Sequence, residues 1–91
     1  MMKIEFKEQA IEDIKLHKRS GNKAAVKKIT ELIEDIKLHP RTGIGQIEPL
    51  KHELSDYWSR HINRKHRLIY RIDDENNTVY IISAYSHYSD K

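Results

Sequence analysis

His66-Arg67-Leu68-Ile69-Tyr70-Arg71-Ile72 is the stretch whose reading decides the fold. Its alternation predicts a strand with Leu68, Tyr70 and Ile72 on one face and Arg67, Ile69 and Arg71 on the other. The first face belongs to a core; the second carries cations. Downstream, Asp73-Asp74-Glu75-Asn76-Asn77 reads as a hairpin loop, because Asn tolerates the left-handed conformation. Thr78 to Ala84 then reads as a further strand, β-branched and nearly all apolar, central and covered on both faces. Upstream, Asn63-Arg64-Lys65 turns the chain, and Tyr57-Trp58-Ser59-Arg60-His61-Ile62 makes the preceding strand.

The first forty residues have a different period. Lys3-Ile4-Glu5-Phe6 alternates over a short first strand. Ala10, Ile11 and Ile14 then share a helical face, with Glu8, Glu12 and Asp13 near the positive end of the helix dipole. Ser20-Gly21-Asn22 interrupts the pattern, and Gly21 suits a helix C-cap. Val26, Ile29, Leu32, Ile33 and Ile36 recur at steps of three and four, which predicts a second helix over roughly 22–38 with one apolar stripe. Lys27, Lys28, Glu31, Glu34, Asp35 and Lys37 lie largely off that stripe and read as solvated. Pro40 ends the helix, since the residue before a proline is pushed out of the α region. Arg41-Thr42-Gly43-Ile44-Gly45 is a loop too short to claim as a phosphate cradle. Strand, two helices, then a run of strands makes one α+β domain over residues 1–91. A short N-terminal strand and a helical hairpin are expected to pack on a largely antiparallel sheet.

Composition narrows the functional classes. A chain of 91 residues that is 37% hydrophobic and 34% charged supports a modest core and gains from a partner or a homodimer. Without cysteine, disulfide frameworks and thiolate metal sites are excluded. Apolar runs of about four residues are far from the roughly 20 a membrane span needs. The first residues lack the apolar core of a signal peptide, so a cytoplasmic protein with no membrane contact is the expectation. The net charge is only +3, but residues 51–71 carry Lys51, Arg60, Arg64, Lys65, Arg67 and Arg71 against Glu53 and Asp56 alone. Such a window suits a polyanion, nucleic acid above all, or else a plain solvated sheet face.

Metal chemistry has little footing. The six histidines stand at 17, 39, 52, 61, 66 and 87 and show no paired helical spacing with an intervening glutamate. No metal site and no cofactor are expected. RNA, in contrast, carries its own nucleophile, the 2′-hydroxyl. Its cleavage needs a base, an acid for the leaving 5′-oxygen and cations for the phosphorane. Glutamate and histidine, with ordinary pKa values of about 4.3 and 6.5, suit the first two roles. Arginine offers fixed donors to phosphate oxygens. Glu48, Lys51, Arg60, Arg67 and His87 supply this set. Each also has a structural use: Glu48 can cap a turn beside Pro49, Arg67 can pair with Asp73 or Asp74, and His87 can sit in a frayed tail. Trp58 reads as a core anchor before a base-stacking platform.

Three blocks carry a resemblance: Glu48-Pro49-Leu50-Lys51-His52-x-Leu54-Ser55-x-x-Trp58-Ser59-Arg60, then His66-Arg67-Leu68-Ile69-Tyr70, then His87-Tyr88. Together they resemble the YoeB/Txe toxins, RelE-like ribosome-dependent mRNA interferases. The helix around Val26–Ile33 and the His39-Pro40 break with Gly43 and Gly45 also fit. The resemblance implies a RelE-like fold and a toxin that cuts mRNA in the ribosomal A site, inhibiting translation. It puts the general base on Glu48, phosphorane stabilisation on Arg67 and the general acid on His87. Lys51 and Tyr88 fall on positions that support phosphate or substrate binding, and Arg60 on a basic position after the tryptophan. A YefM/Axe-like antitoxin is the implied partner, wrapping a disordered segment over the site. Two departures stand out: His61 replaces a second arginine, and Ser89-Asp90-Lys91 follow the His-Tyr pair. A non-catalytic RNA- or ribosome-binding module is the alternative from another class.

Overall fold

The computed structural model describes residues 1–50 and 56–85. Its elements are β1 (Lys3–Phe6), α1 (Glu8–Arg19), α2 (Lys23–Leu38), β2 (Glu48–Pro49), β3 (Tyr57–His61), β4 (Arg67–Asp73) and β5 (Thr78–Ser83). The strands form one sheet in the order β1-β5-β4-β3-β2. Every pairing is antiparallel except β1 with β5, which is parallel. The α+β arrangement is the expected one. The parallel pair follows from connection length, because the whole helical hairpin and the three intervening strands separate its members. Among the described residues no helix is long and apolar enough to cross a membrane.

The alternation of β4 is realised as read. Leu68, Tyr70 and Ile72 are buried and join Val79 and Ile81 of β5 against Ala10, Ala25, Ile29, Leu32, Ile33 and Ile36 of the helices. The helices therefore cover one sheet face. Their junction is tight because Gly21, at φ +75°, reverses the chain. Its N–H donates to Lys18 O (3.1 Å) and that of Asn22 to His17 O (3.1 Å), a Schellman closure. The Asn22 side chain then accepts the Ala25 N–H at 3.1 Å and caps α2.

Arg60, expected to bind phosphate, points inward instead. It stands opposite Leu68 in the β3–β4 register and therefore points toward the helices. It is completely buried. Its Nε donates to Tyr70 Oη (3.0 Å), and Nη1 to Asp35 Oδ2 (2.6 Å) and Ile44 O (3.1 Å). Nη2 donates to His39 O (2.6 Å) and Thr42 O (2.8 Å). Tyr70 Oη in turn donates a hydrogen bond to Pro40 O at 2.7 Å. Burial alone raises the Asp35 pKa. The Arg60 hydrogen bond, the Ile44 N–H and the Arg60 charge outweigh it and hold the carboxyl below its ordinary value. The glycines of the loop serve this packing. A Cβ on Gly43 (φ +113°) would collide with the Asp35 carboxylate, and one on Gly45 (φ +96°) would lie 2.7 Å from Leu32 Cδ2.

A second polar cluster fastens α1 to β5. Asp13 Oδ2 accepts the Ala84 N–H at 2.9 Å, and His17 Nε2 meets Ala84 O at 2.8 Å. The His17 and His66 rings pack edge to face at 4.8 Å, and the Tyr85 ring lies 4.2 Å from His66. Burial lowers the His66 pKa from its ordinary 6.5; the charges of His17 and Lys65 add to this, and Asp13 opposes it.

Two outcomes are expected. Arg60→Ala should cost about 3–5 kcal/mol, the usual penalty for removing one partner of a buried ion pair. Urea unfolding measures it, and a change near zero would show that the guanidinium is dispensable. His66 binds a proton more readily unfolded than folded. Its contribution is therefore complete above 6.5 and is lost as pH falls through the lower folded value. The urea midpoint should fall on acidification through that window, and less steeply in His66→Phe; equal slopes would show that His66 is not the group responsible.

Candidate active site

The face opposite the helices is built by register. Glu48 of β2 stands opposite Ser59 of β3, which stands opposite Ile69 of β4. His61 stands opposite Arg67, and Tyr57 opposite Arg71. Directly opposed residues share a face, so Glu48, Ser59, His61, Arg67, Ile69 and Arg71 all lie on this side. From strand spacing and rise, the Cα atoms of Glu48 and Arg67 are roughly 12 Å apart. Between them Ser59 and Ile69 form a nearly buried floor.

Glu48 owes its place to a short edge strand. The Gly45 carbonyl accepts the His61 N–H at 2.7 Å, and the Leu50 N–H donates to Tyr57 O at 2.8 Å. The segment is thus stitched along β3 on both sides of Glu48-Pro49. Pro49, which lacks a donor, is tolerated because β2 is a sheet edge. Glu48 is exposed, and among the described residues its carboxylate has no ion pair.

Arg67 is held by the turn before it. Asn63 Oδ1 accepts the N–H groups of Lys65 (2.9 Å) and His66 (2.7 Å), an Asx-type turn. Its geometry directs carbonyls at Arg67, whose Nη1 donates to Asn63 O (3.0 Å), Arg64 O (3.3 Å) and His66 O (3.3 Å). Among the described residues, Nε and Nη2 make no protein hydrogen bond, so two edges of the guanidinium remain for a ligand. Asp74 is engaged elsewhere, by Arg41 at 2.8 Å. Further along the face, the Tyr80 ring has Arg71 Cζ 4.6 Å and Lys7 Nζ 4.8 Å from its centroid.

Of the residues singled out in the sequence, Glu48 and Arg67 are brought to one face. Arg60 is not: all its donor atoms are spent inside, and it is removed from the phosphate-binding set. Lys51, His87 and Tyr88 lie outside the described residues. Trp58 stands opposite Tyr70 on the helix side and packs against the core, as an anchor does. Asp13 and His17 were passed over as a helix-start acid and a stray histidine. Their signal is positional: Ala10, Asp13, Ile14 and His17 follow the helical period, so both polar residues fall on the covered stripe. Among the described residues no three His, Asp or Glu side chains are grouped to hold a metal ion.

Comparison with known proteins gives one consistent answer. Residues 6–88 match the family described as the YoeB-like toxin of bacterial type II toxin-antitoxin systems. Toxin YoeB of Escherichia coli K12 is 41% identical over 87 residues, covering 96% of this chain and 100% of that protein. The YoeB dimer of Staphylococcus aureus superposes with a TM-score of 0.83 at 43% identity, covering 96% of this chain and 98% of its own. A heterotetrameric YoeB–YefM toxin–antitoxin complex from the same organism superposes at 0.80, also with 43% identity, covering 97% and 99%. With this coverage and the fold above, the chain belongs to the YoeB-like toxins of bacterial type II toxin–antitoxin systems.

Proposed function

We propose that this toxin is a cytoplasmic, ribosome-dependent endoribonuclease that cuts mRNA in the ribosomal A site without a metal of its own. Glu48 takes the proton of the 2′-hydroxyl, and the freed oxygen attacks the adjacent phosphorus. Arg67 stabilises the charge that gathers on the phosphorane oxygens. The bond from phosphorus to the 5′-oxygen breaks, and His87 protonates that oxygen. The products are a 2′,3′-cyclic phosphate, which can open to a 3′-phosphate, and a 5′-hydroxyl. Lys51 and Tyr88 support the phosphate and the substrate; Arg60 acts only through the fold.

The observation that carries this reading is the shared face of Glu48 and Arg67. Among the described residues, a carboxylate without an ion pair and a guanidinium with two open donor edges flank a nearly buried floor, on a surface that also presents Arg71 and His61. A basic binder needs the arginines but has no use for the carboxylate. Since the Staphylococcus aureus relative is solved both as a dimer and with YefM, a YefM-like antitoxin is the proposed neutralising partner and a homodimer the proposed free form.

Primer extension on mRNA in translating extracts tests the assignment. Glu48→Gln and Arg67→Ala should still fold and bind ribosomes, and Arg67→Ala should cut about 10²- to 10³-fold more slowly. His87→Gln should lose about 10²- to 10⁴-fold. Stripping the toxin with chelator before adding it to pre-assembled ribosomes should change nothing. A folded Arg67→Ala protein that cuts at the wild-type rate would remove it from the site, and ribosome binding without any cleavage would favour the binding module.

A further inference from the structure

The mechanism above uses one end of the open face and leaves cations at the other. Arg71 stands on β4 opposite Tyr57 of β3 and Tyr80 of β5, and Tyr80 stands opposite Glu5 of β1. The cross-strand neighbours of this arginine are therefore two tyrosines, not carboxylates. Its Cζ lies 4.6 Å from the Tyr80 ring centroid, and Lys7 Nζ lies 4.8 Å from the same point. Stacking uses the flat face of a guanidinium, whereas hydrogen bonding uses its edge. The ring thus fixes the plane of Arg71 and leaves its donors unspent. Among the described residues neither cation makes an ion pair or a side-chain hydrogen bond. The acids of this face do not change that. Asp73 accepts from Asn76 through both oxygens, at 3.2 and 2.8 Å, and among the described residues Glu5 has no ion pair.

Lys7 is a poor choice for the fold alone. It is the N-cap of α1, where a side-chain oxygen would accept a free helix N–H, and its side chain makes no such bond. Its charge also opposes the positive end of the helix dipole. The backbone nevertheless holds it in place: its N–H donates to Ile81 O at 2.9 Å, and its carbonyl accepts the Ile11 N–H at 3.1 Å. Residues that go against a local preference are expected at functional positions. Arg71 lies further along the strand that carries Arg67, about 13 Å away at the rise of a β-strand. At a stacked rise of about 3.4 Å per nucleotide, that distance is about four nucleotides of one strand.

We propose that Arg71 and Lys7, aligned on the Tyr80 ring, form a second anion subsite that takes a backbone phosphate of the same mRNA, within about four nucleotides of the cut. This rests on the reading of the protein as an enzyme that cuts mRNA. The continuity of one sheet face from Arg67 to Arg71 favours a single strand reaching both. Arg71 and Lys7 bind and do no chemistry; Tyr80 is a positioning residue.

The test is steady-state cleavage on pre-assembled ribosomes carrying mRNA, with those ribosomes as the varied substrate. Arg71→Ala and Lys7→Ala should each raise KM roughly 10- to 100-fold with kcat unchanged, as loss of uniform binding does. Each should also reduce the slope of log affinity against log salt by about 0.7, the share of one single-strand phosphate. Tyr80→Leu should raise KM, and Tyr80→Phe, which keeps the ring, should restore it. The strand is identified with mRNA in which one phosphate at a time, on either side of the cut, is replaced by an uncharged methylphosphonate. One such replacement should raise the wild-type KM and add nothing in Arg71→Ala. If Arg71→Ala does not fold, Lys7→Ala, which alters an exposed side chain, carries the same comparison. A KM unchanged in folded Arg71→Ala overturns the subsite; one unchanged in Lys7→Ala alone removes Lys7 from it. A raised KM that no mRNA replacement reproduces overturns the assignment to mRNA and gives the anion to ribosomal RNA. If the wild type binds these ribosomes but cuts nothing, the proposed activity fails on its own. Weaker ribosome binding by Arg71→Ala than by wild type would then still support the subsite, and equal binding would overturn it.

Discussion

Arg60 places a full positive charge under the helices, and the edge strand that carries Glu48 depends on how that charge is met. The segment from His39 to Gly45 has no regular structure, so its carbonyls need donors from elsewhere. The guanidinium supplies them, three to the loop itself, while Asp35 balances the charge. Arginine suits this role because its donors are fixed in one plane and its charge cannot be shed. The position also lies at the C-terminus of α2, where the helix dipole favours a cation. Once the loop is wrapped around the guanidinium, Gly45 meets His61 and the next residues follow β3. The placement of Glu48 on the open face is therefore set from the covered one.

Much of this architecture was legible in the chain. The period of two in 66–72 and the steps of three and four in 26–36 reflect burial directly, and burial decides both elements. The N-terminal strand was visible by alternation, but its parallel pairing with β5 was not, because a partner 75 positions away leaves no local trace. The two-residue strand at Glu48 was too short to show any period. Arg60 was misplaced although its own strand held the answer. Trp58, Arg60 and Ile62 alternate with Tyr57, Ser59 and His61, and the first set faces the helices. A buried arginine is unusual enough that the pattern loses to the default, and the acid that balances it stands on another element. Asp13 and His17 were missed for the same reason. For the site, Glu48 and Arg67 could be chosen by chemistry and family resemblance; their shared face required the register.

The charge of the open face also looks different once directions are known. The basic window 51–71 loses Arg60 to the interior, leaving, among the described residues, Arg67 and Arg71 on the sheet and Arg64 and Lys65 at the turn. The cations that remain are not uniform. Arg67 is held by three carbonyls, which orient it and, among the described residues, leave its other edges free. Arg71 stacks on Tyr80, which Lys7 also contacts. The face thus combines one oriented guanidinium with a stacked cationic pair, a more specific surface than the count of basic residues suggests.

The parallel pairing of β1 with β5 has a consequence in time. Chains emerge N-terminus first, and β1 waits for its neighbour until position 78 has been made. The closure between Asp13 and Ala84 comes later still, 71 positions apart. Contacts of such high sequence separation form late and slowly. The helical hairpin can gather early, but the sheet that carries Glu48 and Arg67 is not sealed at its last strand until residue 84 is out. The surface described here is therefore completed from its far edge, and the strand made first is among the last to find its neighbour.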